Sequence, residues 1–324
     1  MNHGDMIREE SGVFAADGTR LHARFRGPEQ PEAVVAIVHG YGEHAGRYDH
    51  FATALERCGI ASVGVDLRGH GRSEGRCAHI DSFEDYHLDV DALLVAAHSA
   101  WLGSDVFLFA HSMGGLIACD RLLAPRPPSV SGLILSSPLF ELARPLAWVR
   151  RGAAAALSAI LPAIHVPTGI RTDATCSDPE IREATEEDRR CSRKTTPRWV
   201  VESHRAMSRV DRAIERVATP ILLLYSGDDA IVSVDATDRI ADRLEGRGTD
   251  SNGEPGAPIE IERLEDHLHE ILNEPPARRE VLFERIASWV LETSGGSETP
   301  GGPEGSRAVQ GPSGPDHERT QEAE

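Results

Sequence analysis

Unbroken apolar runs punctuate the chain at residues 33–38, 107–110, 132–136 and 221–225. Runs of four to six residues that are apolar at nearly every position are expected of parallel strands buried on both faces. Residues 259–264 read Ile-Glu-Ile-Glu-Arg-Leu, an alternation that suits a strand with one wet face. Residues 12–27 read as an antiparallel hairpin turned at Asp17-Gly18. Between the strands, amphipathic patterns predict helices over 47–58, 83–101, 115–123, 234–244 and 276–291. Strand and helix in alternation predict one α/β domain, a mostly parallel central sheet flanked by helices.

The alternation breaks between the strand at 132–136 and Pro220. Residues 138–216 are therefore read as an inserted helical cap over the strand ends, dividing the core into residues 1–137 and 217–293. Within the cap, Gly152-Ala153-Ala154-Ala155-Ala156-Leu157-Ser158-Ala159-Ile160-Leu161 follows Arg150 and Arg151 and stops at Pro162. It is too short to span a bilayer. A lid helix that lines an acyl channel with Leu157 and Ile160, or that touches a lipid interface transiently, is the functional expectation, against a cap helix that is merely packed on the core. Residues 294–324 are Gly, Pro, Ser and acids with almost nothing apolar, the composition of a disordered tail.

Candidate chemistry sits where the apolar runs stop. Phe107-Leu108-Phe109-Ala110-His111-Ser112-Met113-Gly114-Gly115 reads as a strand turning into a helix with a serine at the bend. A nucleophile held on so tight a turn needs small residues two places to either side, and Ala110 and Gly114 meet that need. The run at 33–38 ends in His39-Gly40-Tyr41-Gly42, a loop able to leave backbone N–H groups outside the ladder. The N–H groups of Tyr41 and Met113 are the candidate oxyanion hole. The strand at 221–225 is followed by Asp228 and Asp229, either of which can serve as the acid, with Asp229 preferred. His267 and His269 lie two apart in the loop after the strand at 259–264, so one of them at most is the base. The order serine, acid, histidine is that of the Ser-Asp-His triad of α/β-hydrolases. His39, His44, His70 and His111 crowd these motifs and read as hydrogen-bonded structural histidines. His267 and His269 beside Asp266 lack a third ligand at recognisable spacing, so no metal is expected.

Three words carry a family likeness: His39-Gly40-Tyr41-Gly42-Glu43-His44-Ala45-Gly46-Arg47-Tyr48, Asp66-Leu67-Arg68-Gly69-His70-Gly71-Arg72-Ser73-Glu74-Gly75, and His111-Ser112-Met113-Gly114-Gly115. Over about residues 13–291 the chain resembles the monoacylglycerol lipase and lysophospholipase branch of the α/β-hydrolases, akin to the S33 serine aminopeptidases. The resemblance implies an α/β-hydrolase fold with an inserted helical cap, a serine ester hydrolase, and a small lipid ester as substrate. Monoacylglycerols come first, lysophospholipids or short-chain esters next. A histidine followed five residues later by glutamate closes the family pattern, which matches His269 and Glu274 and favours His269 over His267. No cofactor is implied. A function of another class, a catalytically inactive hydrolase fold used for binding, is opposed by the presence of all three triad residue types.

Charge and cysteines narrow the setting. A formal net charge of −18 argues against nucleic acid and against electrostatic adhesion to anionic membranes. Cys58, Cys77, Cys119, Cys176 and Cys191 are odd in number and scattered, as free thiols of a reducing compartment are. With no apolar signal segment over residues 1–11, a cytoplasmic protein is expected.

Overall fold

A computed structural model describes residues 6–144, 148–247 and 256–295. The expected tail falls outside the described residues, apart from Ser294 and Gly295, which end the last helix.

Eight strands form the central sheet: β1 (Met6–Phe14), β2 (Arg20–Pro28), β3 (Val34–Val38), β4 (Ala61–Val65), β5 (Val106–His111), β6 (Gly132–Ser136), β9 (Ile221–Ser226) and β10 (Ile259–Leu264). Their order is β1-β2-β4-β3-β5-β6-β9-β10. β1 and β2 form the expected hairpin, turned through Gly18 at φ +88°, and β2 pairs antiparallel with β4. Every other neighbouring pair is parallel. β4 is the strand that apolar patterning missed. Its sequence, Ala-Ser-Val-Gly-Val, carries only two bulky apolar side chains, yet all five residues are buried.

Alternate residues of each inner strand feed opposite faces, as a period of two requires. Val34, Ala36, Val38, Leu108, Ala110, Leu133, Leu135 and Leu223 pack on one side with α2 (Asp85–Ala100), α3 (Met113–Leu123) and α7 (Val234–Glu245). Val35, Ile37, Phe107, Phe109, Ile134, Leu222 and Leu224 face α1 (Asp49–Arg57) and α8 (Pro276–Gly295). The parallel strands all deliver their C-terminal ends to one edge of the sheet, and every residue of β3, β4, β5, β6 and β9 is buried.

Between β6 and β9 the described residues add no strand to this sheet. It holds α4 (Trp148–Ile160), α5 (Pro179–Glu187), α6 (Pro197–Ala213) and a two-residue ladder of β7 (Val166–Pro167) with β8 (Lys194–Thr195). Arg209 of α6 grips the buried Asp120 of α3 at 2.6 Å, fastening the insertion to the core. No helix of the described residues is long and apolar enough to cross a membrane. All five cysteines are unpaired.

Candidate active site

β5 runs straight into α3 through Ser112, which adopts φ +52° and ψ −115°, a conformation L-residues rarely take. Holding a non-glycine residue there costs on the order of 1–3 kcal/mol, a strain the surrounding lattice must support. That support is visible: the Ser112 N–H donates to Ser136 O at 2.9 Å, and Leu139 N–H donates to Ser112 O at 2.9 Å. The first turn of α3 presses on the end of β3, where a Cβ added to Gly114 would lie 2.3 Å from Val38 O. Only glycine permits that approach, which brings Met113 beside the loop after β3.

Three elements bring three side chains together. His269 Nε2 lies 2.8 Å from Ser112 Oγ, and His269 Nδ1 lies 2.6 Å from Asp229 Oδ2. Asp229 Oδ1 accepts the N–H groups of Ile231 and Val232 at 2.8 and 2.9 Å, so the carboxylate is aimed by its own turn. All three residues are buried. Burial alone would raise the Asp229 pKa, but the His269 charge and hydrogen bond and the two N–H groups hold it below the ordinary value. Burial alone would lower His269, but Asp229, with Glu270 and Glu43 behind it, lifts the imidazole above its ordinary 6.5.

The alternatives lie elsewhere. Asp228 is exposed and only its backbone N–H is engaged, to Ser226 Oγ. Neither ring nitrogen of His267 has a hydrogen-bond partner. The glutamate five residues after His269 shapes the loop around it. Buried Glu274 accepts the Leu268 N–H at 2.9 Å and so closes the turn that presents His269. The structural histidines also bond backbone. His39 Nε2 accepts from Leu67 N, His70 Nδ1 meets Arg68 O, and His111 Nδ1 meets Ser136 O.

The N–H groups of Tyr41 and Met113 are taken by no acceptor among the described residues. The Tyr41 loop is held from above by the insertion: Tyr41 Oη donates to Lys194 O at 2.7 Å, Ser192 N–H donates to Gly42 O at 2.7 Å, and Trp199 lies on the Tyr41 ring at 4.1 Å. Gly42 has φ +74°, and a Cβ there would meet Ser192 O at 2.3 Å.

Leu157 and Ile160, expected to line an acyl channel or touch a lipid interface, are not enclosed. Ile160 is 76% exposed and Leu157 half-buried, because α4 turns its Ser158 side inward, where Arg198 holds the Ser158 hydroxyl at 3.0 Å. The apolar face of this segment, with Leu161, Ile164 and Ile170 also exposed, looks outward. Sequence reasoning also passed over a cluster of buried Glu43 and Glu270 around Arg47, whose side chain is 10% exposed, beside His269. In the sequence the cluster shows only as Glu43 and Arg47 four apart in the loop after β3, which says nothing of Glu270.

His44, Asp188 and Cys191 are the group among the described residues with the reach to hold a metal. The chemistry of the set opposes it. Gly46 N–H donates to His44 Nδ1, so Nε2 carries the proton that it gives to Asp188 at 2.9 Å, and a protonated nitrogen cannot ligate. Asp188 is also committed to Arg190 at 2.6 Å.

A strained serine between strand and helix, backed by a buried imidazole and carboxylate on an eight-stranded, mostly parallel sheet, defines a serine hydrolase of the α/β-hydrolase fold. Residues 29–276 match the serine aminopeptidase, S33 family, and the chain belongs to it. The chain is similar to phospholipase YtpA of Bacillus subtilis, at 31% identity over 81% of this chain and 96% of that protein. It is similar to the monoglyceride lipase of Rattus norvegicus at 30% identity, over 85% of this chain and 88% of the other. The crystal structure of Paleococcus ferrophilus monoacylglycerol lipase superposes with a TM-score of 0.71 at 25% identity, covering 84% of this chain and 99% of that one. The protein is a serine ester hydrolase.

Proposed function

We propose that the protein cleaves monoacylglycerols by two-step acyl transfer. Ser112 Oγ attacks the ester carbonyl while His269 Nε2 takes its proton. His269 returns that proton to the departing glycerol oxygen, and water then repeats the sequence on the acyl-enzyme. Asp229 holds the imidazole with Nδ1 protonated. The N–H groups of Tyr41 and Met113 receive the oxyanion, each contributing roughly 3 kcal/mol at the transition state. The observation that carries the reading is the continuous hydrogen-bonded chain from Ser112 through His269 to Asp229. A catalytically inactive binding role would leave that alignment, and the strain at Ser112, without use.

For the substrate class, the exposed Ile160, Leu161, Ile164 and Ile170 support residues 138–216 acting as a cap that meets the lipid surface from which a single-chain ester is drawn. The Bacillus relative's name favours one second reading, a lysophospholipid in place of the monoacylglycerol. The experiment is hydrolysis of matched monoacylglycerol, lysophosphatidylcholine and short p-nitrophenyl esters by wild type and Ser112→Ala. Wild type should prefer the monoacylglycerol, and the variant should lose roughly a millionfold in turnover on every ester. Near-normal hydrolysis by Ser112→Ala removes the mechanism, and a preference for the lysophospholipid replaces the substrate.

A further inference from the structure

Three charges that the mechanism leaves unexplained, Glu43, Arg47 and Glu270, cluster beside His269. The Arg47 side chain is 10% exposed and makes four hydrogen bonds. One nitrogen donates to Glu43 Oε2 at 2.7 Å and to Glu270 Oε1 at 3.0 Å. The other donates to Glu270 Oε2 at 2.7 Å and to Thr185 Oγ1 on α5 at 2.9 Å. Each carboxylate in turn reaches one half of the reaction machinery. Glu43 Oε1 accepts the Gly40 N–H at 2.6 Å and the Tyr48 hydroxyl at 2.7 Å, and Gly40 is the residue before Tyr41. Glu270 follows His269 directly, and its own N–H donates to Thr175 O at 2.6 Å.

We propose that Arg47 is a positioning residue that sets the loop carrying the oxyanion amide and the loop carrying His269 in register, acting through Glu43 and Glu270. The proposal rests on the acyl-transfer reading of the same site. Its physical basis is the expense of the arrangement. Three charges taken out of water are tolerated only where their hydrogen bonds are nearly complete, and replacing such a cluster by apolar residues is often stabilising. This one links segments that share no backbone pairing, residues 40–48 and 268–273, at the point where donor and base must meet one tetrahedral centre. Simple stabilisation of the fold would not require both carboxylates to end beside reacting groups. Misplacing a catalytic group by about 1 Å costs on the order of a hundredfold in rate.

The cluster also has an electrical consequence. Two carboxylates against one guanidinium leave a net negative charge facing His269. The other groups facing that ring are Asp229 across its Nδ1, Ser112 across its Nε2, and the His111 ring at 5.0 Å. Glu270 and Glu43 both favour the imidazolium that forms during attack. Glu270→Gln removes one negative charge, so the acid limb of the pH profile should move to lower pH, a shift that loosened packing alone would not produce.

The test uses the rate of labelling by a fluorophosphonate probe, which needs the base and the oxyanion donors but not the natural substrate. Wild type is measured first, and if it does not label, the acyl-transfer reading itself fails. Given a labelling wild type, Arg47→Met should label about a hundredfold more slowly, with KM for a soluble ester changed less than threefold, and Arg47→Lys should recover part of the loss. Should Arg47→Met not fold, Glu270→Gln decides, because glutamine keeps the shape and one acceptor. It should stay folded with a modestly lowered melting temperature, since its amide NH₂ meets a donor on one side, label about tenfold more slowly, and show the displaced acid limb. Folded variants that label within twofold of wild type with an unmoved acid limb overturn the proposal.

Discussion

Replacing Asp229 by asparagine changes one oxygen to an amide nitrogen, and the surroundings decide which way the amide sits. In one orientation the remaining oxygen keeps the Ile231 and Val232 N–H groups and the NH₂ faces His269 Nδ1. Donor then meets donor, so the imidazole must move its proton to Nε2, where it points at Ser112 and cannot accept. The flipped orientation preserves the productive tautomer but sets NH₂ against two backbone N–H groups. Each buried donor left unpaired costs about 1–3 kcal/mol. The productive arrangement therefore lies about 4 kcal/mol above the idle one, which predicts roughly a thousandfold loss in kcat/KM. The assay is steady-state hydrolysis of p-nitrophenyl butyrate at about pH 7.5, with the melting temperature measured in parallel and expected to hold. Asp228→Asn, altering an exposed side chain, should stay within about twofold of wild type. A loss below tenfold in Asp229→Asn, or an equal loss in Asp228→Asn, refutes the argument from orientation.

Gly114→Ala drives a methyl to within 2.3 Å of Val38 O and should lower unfolding free energy by about 1–3 kcal/mol while cutting activity further, read by urea titration beside esterase assay. Ile160→Glu places a charge on a side chain already 76% exposed, so soluble short esters should be cleaved at the wild-type rate while hydrolysis of monoacylglycerol presented in vesicles falls severalfold; equal effects on both would exclude lipid contact at α4. Burial, with a histidine ring nearby in each case, pushes His70 and His111 down to about 4 from 6.5. Between those values the unfolded chain binds protons the folded protein refuses, so stability present above pH 6.5 is lost as pH falls towards 4, by up to about 3 kcal/mol per residue. His269, raised by Asp229, and Asp89, pushed up to about 6 from 3.8 by burial, work in the opposite sense, but burial lowers His22, His39, His50, His79 and His267 as well as His70 and His111, so the loss prevails. A urea midpoint at about pH 5 equal to that at about pH 7.5 would contradict this.

The inner sheet was legible because Val34–Val38, Gly132–Ser136 and Ile221–Ser226 are apolar through nearly their whole length, and a chain buried on both faces has little other way to spell a strand. Ala61–Val65 was not, because its place demands small residues: a Cβ on Gly64 would already lie 3.0 Å from Ala45 Cβ. At the site, Ser112 announced itself through the small residues its bend requires. Two residues of spacing could not tell His267 from His269, since the direction of each ring depends on how Glu274 folds the loop back. The Arg47 cluster was hidden for a related reason. Its partners lie 4 and 223 positions away, and only the second distance carries the information. Which way α4 turns was not legible, because an alanine-rich helix has no strong polar side to declare it.

Lys194 is the single lysine in the sequence, its side chain is exposed, and its carbonyl accepts the Tyr41 hydroxyl. An amine-reactive dye therefore has one side-chain target in the whole chain, besides the terminal amine, and that target sits in the segment that bonds the Tyr41 ring. Without any engineered cysteine, the protein offers an optical reporter beside the Tyr41 loop. A change in that dye's anisotropy on adding a non-cleavable ether analogue of the ester, or lipid vesicles, would report whether this segment moves relative to the Tyr41 loop.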